Sequence, residues 1–204
     1  MRVIVFGASG GVGRAAVAQA AAAGHEVTAF VRDPAKLSAP QGVAVVQGDA
    51  LDEAAVRGAL AGQDAVLCCL GSRAGLKPSD ELERMATVVA DGMRAQGVRR
   101  LVVCASAGVE DELTGPAGKV IAFTLRNPLR DHRAALERYR AIAPDLTVAR
   151  PLGLTDHPLR EDYRRAEHGV PRGGRSIPRA SVAHFMVAAL GDPATIGTSV
   201  GLAI

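Results

Sequence analysis

Seven residues near the start of the chain constrain it most. Gly7-Ala8-Ser9-Gly10-Gly11-Val12-Gly13 sets glycines at G-x-x-G-x-x-G spacing, directly after the apolar run Val3 to Phe6 and before an Ala- and Val-rich stretch of helical character. Strand, glycine turn and helix in that order form the opening of a βαβ unit. Gly7 permits the tight turn, Gly10 lets backbone approach an anion, and Gly13 lets the helix pack closely on the strand. Free N–H groups at the helix start then face the anion, and in this context the anion expected is the pyrophosphate of a dinucleotide.

The rest of the chain keeps the same rhythm. Val3 to Phe6, Glu26 to Val31, Val43 to Gln47, Ala65 to Leu70 and Arg100 to Cys104 are short apolar or β-branched runs. Stretches of helical period separate them, which predicts a parallel sheet buried on both faces: a Rossmann-type, doubly wound α/β fold. The first helix runs from Gly11 to Ala23, with Gly24 as its stop. A second covers about Asp52 to Leu60. A third follows Pro78-Ser79, with Ser79 as a cap and Leu82, Met85, Ala86, Val89 and Met93 as one apolar stripe ending at Gly97. Ser106 to Lys119 reads as a loop where a substrate lid or rim is expected. Asn127 is then the N-cap of a helix that Pro144 ends, Leu146 to Ala149 a sixth strand, Ser181 the N-cap of a last helix to Leu190, and Ser199 to Ala203 an edge strand. At 204 residues, without repeats or a linker, the expectation is one domain over residues 1–204 with a small C-terminal substrate lobe.

No apolar run approaches the roughly 18–20 residues that span a bilayer, and residues 1–7 lack the parts of a signal peptide, so a cytoplasmic protein without membrane partners is expected. Cys68, Cys69 and Cys104 lie in strand-like runs without metal-type spacing and are expected as small core residues, with no metal site. Arginine outnumbers lysine 21 to 3, and 12 arginines fall between Arg126 and Arg179 against 7 acids. That bias suits either a solvated surface or an anionic ligand. With only 3% aromatic residues there is no stacking platform for single-stranded nucleic acid.

Cofactor choice falls at the tip of strand two, where an acid binds a ribose 2′-hydroxyl and an arginine accommodates a 2′-phosphate. The tip reads Phe30-Val31-Arg32-Asp33. Alternation makes Arg32 the last strand residue and Asp33 part of the turn before Pro34, which favours NADP(H) over NAD(H); the competing reading makes Asp33 the ribose ligand. Arg14 and Lys36 are further phosphate candidates. Gln47-Gly48-Asp49-Ala50 ends strand three, where the glycine spacing's resemblance to the short-chain dehydrogenase/reductase superfamily implies that Asp49 meets the adenine; the competing reading makes Asp49 or Asp52 the cap of the next helix. Leu70-Gly71-Ser72-Arg73 ends strand four, where Gly71 lets backbone lie against the nicotinamide ribose.

These segments resemble the atypical short-chain reductases of the biliverdin-IX-beta reductase/flavin reductase type, within the NAD(P)H-binding, NmrA-like group. Cys104-Ala105-Ser106-Ala107, Asp131-His132-Arg133, Gly62-Gln63-Asp64-Ala65-Val66 and Ser176-Ile177-Pro178-Arg179-Ala180 into Ala183-His184-Phe185-Met186 extend the likeness over nearly the whole chain. The resemblance implies NADPH bound along strands one to five and hydride delivered to a flavin or tetrapyrrole, with Ser106 and His132 at the catalytic positions. The cofactor set so expected is Gly7, Ala8, Ser9, Gly10, Gly11, Val12, Gly13, Arg32, Asp49, Ala50, Leu70, Gly71, Arg73, Ala105, Ser106 and Pro151.

Two departures narrow the activity. There is no Tyr-x-x-x-Lys pair, since Tyr139 is followed four residues later by Ala143 and Tyr163 by Glu167, which argues against alcohol–ketone chemistry and against an epimerase. Arg150-Pro151-Leu152-Gly153-Leu154 holds no histidine where the biliverdin-type reductases carry one, which argues against specific tetrapyrrole reduction. The expectation is an NADPH-dependent reductase of a small electron acceptor such as a flavin or quinone, where orientation outweighs acid catalysis. The alternative is a catalytically silent, NmrA-like redox sensor acting through a protein partner.

Overall fold

Except for the largely exposed edge run Ala44–Gln47, the apolar runs become strands covered on both faces, because alternate side chains feed two separate cores. In β1 (Arg2–Phe6), Ile4 and Phe6 join a cluster of 26 buried residues on one side of the sheet, and Val3 and Val5 join one of 24 on the other. Neither face is open to solvent, as a doubly wound sheet requires. The computed structural model describes all 204 residues. After β1 come α1 (Gly11–Ala22), β2 (Glu26–Val31), β3 (Ala44–Gln47), α2 (Glu53–Leu60), β4 (Ala65–Cys68), α3 (Glu81–Gln96) and β5 (Arg100–Cys104). Then follow α4 (Gly115–Thr124), α5 (Arg126–Ile142), β6 (Asp145–Pro151), β7 (Gly153–Thr155), β8 (Arg164–Ala166), β9 (Ser176–Pro178), α6 (Arg179–Leu190) and β10 (Ser199–Ala203).

Eight strands form one sheet in the order β3-β2-β1-β4-β5-β6-β10-β8. Every neighbouring pair is parallel except β10 with β8. α1 and α6 pack together on one face, and α2, α3 and α5 on the other. The order reverses between β1 and β4, which opens a crevice at their carboxyl ends. β7 and β9 pair separately, in parallel, beyond β6.

Side chains near and far finish the starts of α2 and α3. Asp52 caps α2 locally, accepting from the Ala54 and Ala55 N–H groups at 2.9 and 3.0 Å. At α3, Ser79 Oγ accepts from Glu81 N–H, and the buried Asp131 of α5 reaches across to accept from Leu82 and Glu83 N–H at 3.3 and 3.1 Å. One carboxylate thus seals α3 and locks it to α5.

Several local expectations are corrected. The segment after Ser106 is a loop only as far as Thr114, because residues 115–124 form α4, an exposed helix of which only Gly118 is buried. Asn127 does not cap α5, which begins one residue earlier; its Nδ2 instead donates to the Leu76 carbonyl at 2.9 Å. Ser181 does not cap α6, which begins at Arg179. It is buried two residues into the helix, donating to the Arg160 carbonyl and accepting from the Arg160 N–H. Ser199–Ala203 is not an edge, since the three-residue β8 covers it. Strand four stops at Cys68 and β2 at Val31, so Arg32 is the first residue beyond its strand. No helix is long and apolar enough to cross a membrane.

Candidate functional site

The turn after β1 is compressed against its neighbours in a way only glycine allows at two positions. Gly7 has φ +72°, and a Cβ there would lie 2.4 Å from the Cys69 carbonyl oxygen at the end of β4. A Cβ on Gly13 would lie 2.2 Å from the Gly7 carbonyl oxygen, so α1 sits directly on the turn that precedes it. α1 has no side-chain cap and no acid in its first turn. The N–H groups of its first turn therefore lack intrahelical acceptors and face outward, a seat suited to an anion.

Two cavities lie side by side along the carboxyl edge of the sheet. The first, of about 290 Å³, is lined by Gly7, Ser9 and Gly10 of the glycine turn, Phe30, Val31 and Arg32 after β2, Gly48, Asp49 and Ala50 after β3, and Cys69, Leu70, Gly71 and Ser72 after β4, with Glu81 and Met85 of α3. The second, of about 520 Å³, tops β5 and β6: Ala105, Ser106, Ala107, Pro151, Leu152 and Gly153 form its floor, and Leu113, Ile121, Leu125, His132, Leu154, Arg175 and Arg179 its walls. Of the residues the sequence singled out, Gly7, Ser9, Gly10, Arg32, Asp49, Ala50, Leu70 and Gly71 meet in the first cavity. Ala105, Ser106, His132 and Pro151 meet in the second. Ala8 and Val12 are buried beneath the turn, and Gly11 and Gly13 shape it without lining either cavity.

Arg73 is not brought into the cleft. Its Nε and Nη2 bind Glu81 Oε1 at 3.0 and 2.9 Å, while its own N–H and Ser72 Oγ donate to Oε2. Burial alone would raise the Glu81 carboxyl, but these hydrogen bonds and the Arg73 charge hold it below the usual carboxylate value. Arg32 contrasts with it. Arg32 lines the first cavity and its guanidinium makes no hydrogen bond or ion pair, whereas Asp33 is occupied, accepting from Ala35 N–H at 3.1 Å and pairing with Lys36. Asp49 accepts from Leu51 N–H at 2.9 Å and also lines the cavity; the capping of α2 belongs to Asp52.

Ser106 follows β5 on a backbone that continues to pair with β6, because Ala105 N–H donates to Ala149 O and Ala107 N–H to Pro151 O, at 2.8 and 2.9 Å. Its hydroxyl donates only to the Ala107 carbonyl, at 3.1 Å. His132, half-buried in α5, makes no hydrogen bond and lies on the wall shared with a small apolar pocket behind it. Burial pushes its pKa down, against the pull of Asp131, so at neutral pH the imidazole is uncharged. An uncharged imidazole can donate or accept a hydrogen bond there. Tyr139, one turn pair further along, is buried with its hydroxyl 3.2 Å from Cys68 Sγ. The three thiols are free, and burial raises each of them, Cys104 to about 12, which disfavours the thiolate form.

Two arginines that sequence reasoning passed over hold the Ser106 loop. Arg150, wholly buried at the end of β6, donates to Glu112, to the Gly169, Glu167 and Ser199 carbonyls and to Ser199 Oγ, and lies 3.3 Å from Glu110. Arg133 of α5 donates to the Gly108 and Val109 carbonyls, both at 2.8 Å, and to Asp111, a non-glycine residue at φ +58°. The signal was present as an arginine excess over residues 126–179, but composition alone does not tell a buried clamp from a solvated face.

A parallel sheet with a glycine turn feeding a helix at its switch point, and a cleft along the strand ends, defines a dinucleotide-binding protein of the Rossmann type. Residues 7–193 match the NAD(P)H-binding family, and the chain belongs to it. A Rossmann-fold NAD(P)-binding family protein from Shigella flexneri superimposes with a TM-score of 0.78 at 29% identity, over 98% of this chain and 92% of that one. The anaerobillin reductase ChuY from Escherichia coli O157:H7 reaches a TM-score of 0.83 over 100% of this chain and 97% of its own; at 23% identity that likeness is one of fold. A 2-alkyl-3-oxoalkanoate reductase from Stenotrophomonas maltophilia (strain K279a) is 33% identical over 121 residues, which is 57% of this chain and 36% of the relative. The match thus spans about a third of that curated relative's length.

Proposed function

We propose that this protein is an NADPH-dependent reductase that passes hydride to a flavin, a quinone or a related small electron acceptor. The observation that carries the reading is the pairing of two cavities on one sheet edge, the first shaped by the glycine turn and the second holding Ser106 and His132 with no carboxylate in its lining. Bound NADPH would supply the hydride. On the protein side, the α1 N-terminus and the glycine turn would hold the diphosphate, and the backbone at Leu70 and Gly71 would lie against the ribose. The unpaired Arg32 would meet the 2′-phosphate, while Asp33 is engaged in capping its own turn. Hydride arrival places negative charge on the acceptor. Ser106 and the neutral His132 would orient the acceptor by hydrogen bonds before transfer, and Arg175 at the cavity wall would favour that charge.

The test is NADPH oxidation by the purified protein, followed at the nicotinamide absorbance band with FMN, riboflavin, a quinone and biliverdin in turn, alongside direct dinucleotide binding. Turnover that falls at least tenfold on Ser106→Ala supports the reading. Tight NADPH binding without turnover of any acceptor moves the protein to the redox sensor, and turnover untouched by Ser106→Ala removes that residue's role.

A further inference from the structure

Arg179, the first residue of α6, has no role in the fold that matches its position. Its side chain lies across the glycine turn, where a Cβ on Gly11 would stand 2.4 Å from Arg179 Cδ and 2.8 Å from Nε. The space that Gly11 leaves empty is filled by the arginine stem, so positions 11 and 179 share one packing requirement. Beyond the stem, Nη1 donates to Asp156 at 2.7 Å. The Asp156 side chain is 89% exposed and that of Arg179 31%. An ion pair so open to water contributes little, and it does not account for a long side chain laid over the first turn of α1.

The surroundings ask for an anion at this point, one that a cation beside the helix start would help to hold. The first-turn N–H groups of α1 have neither a side-chain cap nor a nearby acid to meet them. Arg32 is the one cationic residue lining the first cavity, and it belongs to the far end, after β2. Arg179 lines the second cavity while its stem touches the turn that shapes the first, so it stands where the two meet.

We infer that Arg179 is a ligand of the cofactor diphosphate, releasing Asp156 when a dinucleotide binds and donating to a diphosphate oxygen beside the α1 N-terminus. The inference rests on the dinucleotide reading of the first cavity. It makes Gly11 a glycine because of Arg179 as much as because of the turn, and it makes Asp156 a competitor for the same guanidinium.

The experiment measures binding of NADPH, NADH, ADP-ribose and 2′-AMP to the intact protein and to Arg179→Met, which keeps an apolar stem over Gly11 and removes only the charge. A charge-assisted hydrogen bond lost at the diphosphate predicts roughly tenfold or greater weakening for NADPH, NADH and ADP-ribose alike, with 2′-AMP unchanged. Arg179→Lys should regain most of the loss, and Asp156→Asn should tighten the same three ligands. Weakening of less than about twofold across the three, or an effect confined to the KM of the acceptor, overturns the inference while leaving wild-type dinucleotide binding intact. Failure of the wild-type protein to bind any dinucleotide overturns the underlying reading as well, so the two failures are told apart by the unmutated chain.

Discussion

Along the carboxyl edge of the sheet, the wall after β1 is made of backbone and small side chains, whereas the wall after β5 and β6 is held by arginines. On the first side Gly7 and Gly13 let three chain segments touch directly, with carbonyl oxygens where side chains would otherwise stand. On the second, the loop carrying Ser106 is bound to α5 by Arg133 and to β6 by the buried Arg150, and the short strands β7, β8 and β9 replace long regular ones. The difference teaches that the first cavity is built from local rules of the chain, while the second hangs on long-range polar clamps. Such clamps are costly to break, because each removed partner strands a buried charge or carbonyl.

That contrast can be broken at single residues. The largest effect is expected from Gly13→Val, whose side chain would collide with the Gly7 carbonyl; it should cost roughly 4 kcal/mol or more in denaturant unfolding. Gly10→Leu is its counterpart, since a Cβ there meets only the Gly7 oxygen at 3.2 Å: the fold should survive and dinucleotide binding should be lost. On the arginine side, Arg150→Ala leaves Glu112 buried without its partner and should cost about 3–5 kcal/mol, most of it recovered when Glu112→Leu accompanies Arg150→Met. If the single change costs under about 1 kcal/mol, the clamp is not what holds the second wall.

Smaller effects sharpen the comparison. Arg32→Glu should weaken NADPH binding roughly tenfold to a hundredfold and NADH far less, the loss expected of a charge-assisted hydrogen bond; equal losses would favour NAD instead. Asp131→Ala uncaps α3 from a distance and should cost about 1–2 kcal/mol, read from the urea midpoint. The smallest effect concerns pH. The folded-state pKa of His132 is depressed by burial, so below the ordinary histidine value of 6.5 the unfolded chain takes up a proton before the folded one does. Stability is therefore fully present above that value and declines as pH falls from it. Glu112 acts in the same direction but in a lower window: burial would raise its carboxyl, yet backbone N–H groups and Arg150 hold it below the usual carboxylate value. His132→Gln should reduce the upper limb of the decline, to which His25, also lowered by burial, contributes, and leave the acid one; a profile unchanged above pH 5 would show that His132 is not depressed.

The sequence by itself determined the sheet, the glycine turn and the two-sided core, because those follow from side-chain period and from the few backbone shapes that glycine alone adopts. Arg32 and Gly71 could be placed at strand tips for the same reason, since a strand end is a local event. Only the tertiary structure decided which charged groups are free. Arg73 and Arg32 both follow strand ends, yet one is tied to Glu81 and the other is unpaired, and nothing within a few residues of either distinguishes them. The same holds for Asp131 capping α3, for Asn127 and Ser181 holding loops instead of helix ends, and for Arg179 filling the space above Gly11. A long polar side chain reaches whichever partner the fold brings near, and that partner stands 48 residues away for Asp131 and Glu83, a distance at which periodicity carries no information.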